Sequence, residues 1–261
     1  MDLDQVMHTA VRAAYRGADV LRARLGNLNT IGKKGPSDLV TDADLASETE
    51  IIAVIRASFP DHTVVAEESG AHNGSAAFRW LVDPLDGTVN YAHQVPFFAV
   101  SIAFAADSEM RVGVVLNPVS GELFTAQAGG GARLNGLPIR VSPETRVSES
   151  LLATGFPYDL ERGFDARGNR FLRCLKAARG IRRLGSAALD LCYVACGRFA
   201  GYWEDHLQPW DSAAGILMVR EAGGTVTDFA NQPSGAEAGE VLATNGHIHR
   251  DMLTFMEVAN S

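Results

Sequence analysis

The segment Asp83-Pro84-Leu85-Asp86-Gly87-Thr88 combines residue types that suit the binding of a metal ion and a phosphate. Two carboxylates three residues apart can face one point, and the carbonyl of Leu85 between them can add a neutral oxygen ligand. Gly87 allows the backbone to pass close to a ligand, and the amide groups that follow suit a phosphate when they begin a helix or a turn. Taken alone, the segment is equally compatible with an ordinary Asp-Pro turn closed by glycine.

Further carboxylates recur near the ends of predicted strands. Glu67 and Glu68 follow one apolar segment, Asp83 follows another, and Asp211 opens a predicted helix. Carboxylates brought together without cations repel and raise one another's pKa, so such a cluster predicts bound metal ions. Ligands that are all oxygen atoms favour Mg²⁺ or Mn²⁺ over Zn²⁺.

Longer segments around these carboxylates resemble the signatures of the inositol monophosphatase family. Residues 80–91 resemble the first signature, and residues 209–215 with 221–224 resemble the second. Residues 38–44, 66–69, 185–190 and 201–204 match further segments of the family. The matching segments occur in order from about residue 33 to residue 224, so the resemblance covers nearly the whole chain. Several separated motifs in the family's order are far more specific than any one of them.

The resemblance implies a fold and a set of metal ligands. The fold is a layered αβαβα sandwich with α+β and α/β parts, as in inositol monophosphatases and fructose-1,6-bisphosphatases. Two or three Mg²⁺ ions would bind in each active site, and Mn²⁺ could replace them. The implied ligands are Glu67, Asp83, the Leu85 carbonyl and Thr88 for the first ion, and Asp83, Asp86 and Asp211 for the second. A third, weaker ion would lie near Glu67, and Ala66 replaces the family's usual glycine, which we expect to alter local packing more than ligation.

The resemblance also implies a mechanism without a covalent phosphoenzyme. Thr88 and Asp44 would orient a metal-activated water and accept its proton, while the second ion stabilises the leaving alkoxide. Asp44 also fits the acidic third position of a capping box that begins at Thr41, so a purely structural role stays open. A covalent route through Asp42 is not expected, because Asp42-Ala43-Asp44 begins a helix and does not follow an apolar strand.

The substrate implied by the resemblance is a small phosphomonoester, above all myo-inositol monophosphate, with inhibition by lithium. The implied substrate contacts are Asp86, Gly87, Thr88, Ser186, Ala187 and Glu204. Histidinol phosphate, fructose bisphosphate and other sugar or nucleotide phosphates remain alternatives on the same metal core. Substrate contact is the favoured role of Glu204, with a solvated loop acid as the alternative, and the role of Lys33 near the third ion is left open.

A role of a different class is that of an interaction partner, since some bacterial members of the family bind transcription machinery. The sequence offers no basic patch or arm that would support this role. Its 31 acidic and 23 basic residues give a formal net charge of -8, which argues against binding to nucleic acids or anionic membranes. The acidic excess is instead expected to load the cations that bind a phosphate.

Several features bear on location and assembly. The start of the chain lacks the basic and apolar segments of a signal peptide, and the most apolar run, residues 97–106, is too short to span a membrane. Three cysteines are too few for a disulfide framework, and we expect Cys192 and Cys196 to be buried thiols. A cytoplasmic protein is therefore expected, and the resemblance adds a homodimer.

The elements that must position these residues follow from apolar periodicity. An amphipathic helix is predicted at the start of the chain, and a second one runs from near Thr41 to Pro60. Short apolar stretches then predict a mainly antiparallel sheet with both helices on one side. These stretches are residues 63–66, 80–82, 100–104, 112–116 and 123–126.

From about residue 151 the pattern alternates between strands and helices, which is typical of an α/β unit. Strands are predicted near 151–154, 181–184, 225–227 and 241–243, and helices near 164–178, 186–199, 211–222 and 247–259. A polar stretch near residues 141–149 predicts a boundary. It separates an N-terminal α+β subdomain, residues 1–145, which holds most metal ligands, from a C-terminal α/β subdomain, residues 146–261, with Asp211 and the substrate-side residues.

Two motifs are expected to be structural. The run Gly129-Gly130-Gly131 lacks the context of a phosphate-binding loop and predicts a hairpin turn. His247 and His249 have no other ligand candidate beside them, so we expect a solvated helix start there.

Overall fold

A computed structural model of the chain describes residues 1–27, 31–33, 39–157 and 163–257. Its helices are α1 (Leu3–Arg24), α2 (Asp42–Ser58), α3 (Thr88–Ala92), α4 (Phe164–Ala177), α5 (Ala187–Ala195), α6 (Pro209–Glu221) and α7 (His249–Met256). Single turns of 3₁₀ helix lie at Val147–Glu149 and Ala236–Ala238.

The strands fall into three sheets. The strands before residue 140 are β1 (Ile31–Lys33), β2 (Leu39–Thr41), β3 (His62–Ala66), β4 (Gly70–His72), β5 (Ser75–Asp86), β6 (Ala99–Ala106), β7 (Glu109–Leu116), β8 (Leu123–Gln127), β9 (Gly131–Leu134) and β10 (Leu137–Pro138). The later strands are β11 (Leu151–Thr154), β12 (Gly180–Arg182), β13 (Gly201–Asp205), β14 (Thr225–Thr227) and β15 (Glu240–Thr244). β1 and β2 form a separate antiparallel pair.

The two large sheets are both mixed. The first has eight strands in the spatial order β10-β9-β8-β7-β6-β5-β3-β4, with β3 and β5 parallel and all other neighbours antiparallel. The second has five strands in the order β12-β11-β13-β15-β14. Here β11 runs parallel to β12 and β13, and β15 runs antiparallel to β13 and β14. The prediction of a mainly antiparallel first sheet is confirmed.

Helices cover the sheets in three layers. α1 and α2 pack on one face of the first sheet, α5 and α6 lie between the two sheets, and α4 and α7 cover the outer face of the second sheet. The order of layers is therefore helix, sheet, helix, sheet, helix. The αβαβα sandwich implied by the family resemblance is confirmed.

Side-chain alternation along the central strands builds these layers. In β6, Val100, Ile102 and Phe104 face the core under α1 and α2, whereas Ala99 and Ala103 face α5 and α6. The small residues on the second face let α6 approach the sheet. At Gly113 of β7 this approach is so close that a Cβ would lie 2.9 Å from the carbonyl oxygen of Ala214.

The structure differs from the sequence prediction in several strands. β13 was missed, because its glycine and two acidic residues are atypical of strands, yet its place between β11 and β15 buries it. β5 continues to Asp86, so Asp83 lies within the strand and not at its end. The short strands β1, β2, β4, β9 and β10 are also not predicted by the sequence.

Other local predictions are confirmed. Thr41 caps α2, Gly129 and Gly130 lie in the turn between β8 and β9, and Asn135-Gly136 forms the next turn with both φ angles positive. The boundary predicted near residues 141–149 lies between the strands of the first sheet and those of the second. Since the core between the sheets draws on both halves, the division at residue 145 stays a prediction.

Candidate functional site

A cavity of about 290 Å³ lies where the first sheet meets α5, α6 and β13. Six acidic residues from separate parts of the sequence line it, and four of them, Glu67, Asp83, Asp86 and Asp211, are the predicted carboxylate ligands. The other predicted site residues that line it are Leu85, Gly87, Thr88, Ser186, Ala187 and Glu204. Of the predicted site residues, only Asp44 lies outside the lining.

A bulge in β5 presents the first pair of carboxylates. The pairing of β5 with β6 shifts between Asp83, which lies opposite Ser101, and Asp86, which lies opposite Ala99. One extra residue is thus inserted on the β5 side, and such bulges re-aim side chains. Inside the bulge, the amide of Leu85 donates to Asp83 Oδ1 at 2.9 Å, which fixes the carboxylate at the cavity wall.

Asp44 lies directly behind Thr88. Asp44 Oδ2 accepts from the amide of Thr41 at 2.8 Å and from its hydroxyl at 2.6 Å, which completes the capping box of α2. Its other oxygen, Oδ1, accepts from the hydroxyl of Thr88 at 3.2 Å. The Asp44 side chain is fully buried, and burial raises its pKa, with the charge of Glu67 adding to the effect. The capping role and the contact with Thr88 therefore coexist.

Asp86 connects the two halves of the chain. It accepts from the hydroxyl of Ser186 and from the amides of Ala187 and Ala188, at 2.5, 3.3 and 2.8 Å. These donors begin α5, whose positive N-terminal end favours a carboxylate. Burial raises the pKa of Asp86 to about 6, and the hydrogen bonds from Ser186 and the two amides oppose that rise.

Asp211 occupies the first turn of α6. Its Oδ2 accepts from the amide of Gln208 at 2.7 Å, which forms a second capping box. Burial raises the pKa of Asp211 well above its ordinary value, and the charges of Asp86 and Glu67 raise it further. Asp83 behaves in the same way, since burial and then the charges of its three carboxylate neighbours raise its pKa.

Glu67, Asp83, Asp86 and Asp211 suit a hard divalent cation, because such ions prefer oxygen ligands. A bound cation would also offset the repulsion between the four carboxylates. In their present rotamers the described residues offer no group of three or more His, Cys, Asp or Glu side chains that could hold a metal ion. Asp83, Asp86 and Asp211 each direct an oxygen to a backbone amide instead. These bonds hold the three carboxylates in place at the wall of the cavity that they line.

Glu204 also lines the cavity and belongs to β13. The hydroxyl of Tyr202 donates to its carboxylate, and burial raises the pKa of Glu204 to about 7. The backbone of Gly155 lies against the same carboxylate, so that a Cβ at residue 155 would lie 1.8 Å from Glu204 Oε2. The alternative that Glu204 is a solvated loop acid is wrong, because the residue belongs to a central strand.

Sequence reasoning missed three residues around Glu204. Tyr202 and Glu204 are two residues apart, and recognition of β13 would have placed them on one face. Gly155 carried no signal, because its closeness to Glu204 arises from the pairing of β11 with β13. Asp190 is 1% exposed, its Oδ1 has no hydrogen-bond partner among the described residues, and burial with the charges of Glu204 and Asp86 raises its pKa.

Other residues for which the sequence makes a prediction lie outside the cavity. The reason given against a covalent route is wrong, because strand β2 ends at Thr41, directly before Asp42. The route itself finds no support, since Asp42 pairs with Arg24 at 2.9 Å and does not line the cavity. Cys192 is buried as expected, and Cys196 is partly buried. The expectation of a solvated helix start is wrong for His249, which is buried and contacts Thr244 and Thr227.

The prediction for the Lys33 side chain lies outside what the structure describes. Within the described ranges, no helix has both the length and the apolar character needed to cross a membrane.

Comparison with known proteins supports a relationship along the whole chain. The chain is 43% identical over 254 residues to a Haemophilus influenzae protein named Nus factor SuhB, covering 96% of this chain and 95% of that protein. It is also 43% identical over 253 residues to an inositol-1-monophosphatase of Synechocystis, covering 96% and 88%. A crystal structure of the extragenic suppressor protein suhB from Bartonella henselae matches with a TM-score of 0.94 and 41% identity, covering 97% and 99%.

The model of the family described as "Inositol monophosphatase family" matches residues 2–257. That range contains both capping boxes, the bulge of β5 and the four predicted carboxylate ligands that line the cavity. This chain belongs to the inositol monophosphatase family.

Proposed function

We propose that this protein is a Mg²⁺-dependent phosphomonoesterase that acts on a small phosphorylated polyol, with myo-inositol monophosphate as the first candidate. The observation that carries the proposal is the convergence of Glu67, Asp83, Asp86 and Asp211 on one cavity, with the hydroxyl of Thr88 beside them. A phosphate monoester is anionic, so it can enter a cavity lined by carboxylates when divalent cations neutralise their charge.

The same carboxylates are the proposed metal ligands, together with the Leu85 carbonyl and Thr88. When bound, two divalent ions, or three, would neutralise the phosphate, lower the pKa of a water and stabilise the leaving oxygen. Mn²⁺ offers similar chemistry, because it accepts the same oxygen ligands. We further expect lithium to inhibit the reaction by competing at this site.

Thr88 and Asp44 provide a route for the proton of the attacking water. Thr88 lines the cavity, and its hydroxyl lies 3.2 Å from Asp44 Oδ1 and 3.1 Å from the carbonyl oxygen of Leu85. When it donates to Asp44, it can accept a proton from water while passing its own to the carboxylate. Asp44 can hold that proton, because burial raises its pKa. A general base that contacts the nucleophile through a hydroxyl in this way contributes about 10²–10⁴-fold to the rate.

The phosphate and the alcohol occupy different parts of the cavity in this proposal. Gly87, with φ of +93°, begins α3, and its amide and that of Thr88 lie at the cavity wall, where they can donate to phosphate oxygens. Ser186, Ala187 and Glu204 also line the cavity. Backbone, hydroxyl and carboxylate groups of this kind suit the hydroxyls of a polyol.

Inositol monophosphate is favoured among possible substrates because a relative with 43% identity bears the name inositol-1-monophosphatase. Histidinol phosphate, fructose bisphosphate and other sugar or nucleotide phosphates share the reacting group and remain alternatives. A comparison of kcat/KM across these phosphomonoesters with Mg²⁺ discriminates among them.

The direct test is phosphate release from inositol 1-phosphate by the wild type and by Asp86→Asn. We expect Mg²⁺-dependent release by the wild type and a loss of about 10- to 100-fold or more in the variant, with the fold retained by circular dichroism. Asp19→Asn, at an exposed position of α1, is the matched control and should keep full activity. Full activity of folded Asp86→Asn would refute the proposed metal site.

A second candidate function is binding to a component of the transcription machinery. It is favoured by the relative named Nus factor SuhB, with 43% identity over nearly the whole chain. A pull-down with wild type and Asp86→Asn separates the two functions, because a partner that binds both equally does not depend on turnover. We also expect a cytoplasmic homodimer, which cell fractionation and light scattering would test.

A further inference from the structure

Three buried polar side chains of α2 face the site from one side of the helix. Asp44, Ser47 and Glu48 are three and four residues apart, so they share one helix face, and their exposed fractions are 0%, 0% and 3%. Asp44 contacts Thr88, as described above. Ser47 and Glu48 have no assigned function, although burial of a carboxylate such as that of Glu48 is costly unless hydrogen bonds compensate it.

Glu48 holds the segment that follows Glu67. Its Oε2 accepts from the amide of Glu68 at 2.8 Å, and its Oε1 accepts from the amide of Ser69 at 2.9 Å. The amide of Glu67 itself donates to the carbonyl of Val82 in β5 at 3.1 Å. The turn after β3 is thus fixed on one side by β5 and on the other by α2.

Ser47 holds the bulge of β5. Its hydroxyl donates to the carbonyl of Pro84 at 3.0 Å, and this carbonyl lies between Asp83 and Asp86. The position of Ser47 is fixed from behind by α1, because a Cβ at Gly17 would lie 2.7 Å from the Ser47 hydroxyl. Ser47 and Glu48, which are adjacent in α2, therefore hold two backbone segments. Glu48 holds the segment after Glu67, and Ser47 holds the bulge that carries Asp83 and Asp86.

We infer that Ser47 and Glu48 are positioning residues that set the distance between Glu67 and the two carboxylates of the bulge, and thereby the affinity of the site for divalent cations. The physical reason is electrostatic. Like-charged carboxylates repel, so their backbones separate unless they are anchored to a common rigid element. α2 is such an element, since its buried face packs against α1 and the first sheet. The inference rests on the proposed function, because it assumes that these carboxylates bind metal.

The test measures Mn²⁺ binding without substrate, from the electron paramagnetic resonance signal of the free ion. Glu48→Gln keeps the size of the side chain but replaces one acceptor oxygen with an NH₂ group that cannot accept from an amide. We expect the dissociation constant for Mn²⁺ to rise by about tenfold or more. Glu50→Gln is the matched control on the same helix, because Glu50 is exposed and pairs only with Arg16 among the described residues.

A second measurement distinguishes positioning from a general loss of stability. The Mg²⁺ concentration that gives half-maximal activity should rise in Glu48→Gln, while kcat at saturating Mg²⁺ stays within about twofold of the wild type. A variant that is only less stable would show a lower Tm in EDTA with unchanged metal affinity, which would overturn the inference.

Ser47→Ala provides an independent variant if Glu48→Gln does not fold. It removes the bond to Pro84 without adding atoms, and its Mn²⁺ affinity should also fall. If Ser47→Ala and every folded Glu48 variant bind Mn²⁺ with wild-type affinity, the inference is overturned and the proposed function is left intact. Absence of Mn²⁺ binding in the wild type would instead overturn the metal site itself, and the inference with it.

Discussion

Gly155 lies so close to the carboxylate of Glu204 that no other residue fits at position 155 without displacing it. A Cβ there would lie 1.8 Å from Oε2 and 2.3 Å from Oε1 of Glu204. The hydroxyl of Tyr202 contacts the same carboxylate. The Glu204 side chain therefore lies between Gly155, which follows β11, and Tyr202 of its own strand β13. Glu204 also lines the cavity.

Gly155→Ala should move the Glu204 carboxylate and weaken binding of a polyol. If Glu204 contacts a substrate hydroxyl, KM for inositol 1-phosphate should rise by about tenfold, the equivalent of one hydrogen bond to a charged group. KM for p-nitrophenyl phosphate, which has no polyol hydroxyls, should change little. Steady-state kinetics with both substrates provides the measurement.

Gly168→Ala is the matched control for Gly155→Ala. Residue 168 lies inside α4, and a Cβ there meets no atom within 4 Å. This control should keep wild-type kinetics and gain about 0.5–1 kcal/mol of stability. An unchanged KM for inositol 1-phosphate in Gly155→Ala would show that Glu204 does not contact the substrate.

Thr88 should be tested with a pair of substitutions. Thr88→Val keeps the shape of the side chain but removes the hydroxyl between the cavity and Asp44. We expect its kcat to fall by about 100-fold or more, because the route for the proton is lost. Thr88→Ser restores the hydroxyl and should recover most of the activity. Equal kcat values for Thr88→Val and the wild type would rule out the proposed proton route.

Removal of metal should affect stability in a pH-dependent way. In the metal-free protein the pKa of Asp86 is raised to about 6, above an unfolded value of about 4. A group with a raised folded pKa stabilises the fold below its unfolded pKa, and that contribution is lost as pH rises through the folded pKa. Since bound Mg²⁺ replaces protons at these carboxylates, the rise in Tm on adding Mg²⁺ should be larger at pH 8 than at pH 5.5.

Thermal unfolding with and without Mg²⁺ at both pH values measures this difference. In Asp86→Asn the rise in Tm on adding Mg²⁺ at pH 8 should be smaller than in the wild type. An increment that is the same at both pH values would contradict the assignment of the carboxylates as ligands.

His62 should make the fold sensitive to acid. Its Nδ1 accepts from the indole of Trp80 at 3.1 Å, so the ring must be neutral, and burial lowers the pKa of His62 against the opposing charge of Asp61. A lowered folded pKa gives stability that is present above the unfolded value of about 6.5 and lost as pH falls through the folded value. We therefore expect Tm to fall between pH 7 and pH 5.

His62→Asn isolates this contribution. Asparagine can still accept from the Trp80 indole, but it cannot titrate and it loses the stacking on Phe59, whose ring centroid lies 4.6 Å away. The variant should be about 1–3 kcal/mol less stable at pH 7.5 and show a flatter dependence of Tm on pH. His247→Asn, at an exposed position, should leave the dependence unchanged. If Tm depends on pH equally in His62→Asn and in the wild type, His62 is not the source of that dependence.

Local features of the site could be predicted from the sequence because neighbouring residues generate them. The capping box from Thr41 to Asp44 needs only the first turn of a helix, and the Asp83–Asp86 pair needs only a short irregular segment. α1 and α2 could be predicted for a similar reason, since burial on one face of a helix imposes a period on its apolar residues. β13 could not, because its central place in the second sheet overrides a composition that is atypical of strands.

The sequence by itself determined which residue types carry the chemistry, and the tertiary structure decided which of them meet. Ala188 donates to Asp86 across 102 residues, Gly155 borders Glu204 across two strands, and Glu48 anchors the turn after Glu67. These contacts follow no local period, since they arise where α2, α5 and β13 are stacked against the first sheet. Packing of the layers sets those distances, and it depends on the whole apolar core and not on any one segment.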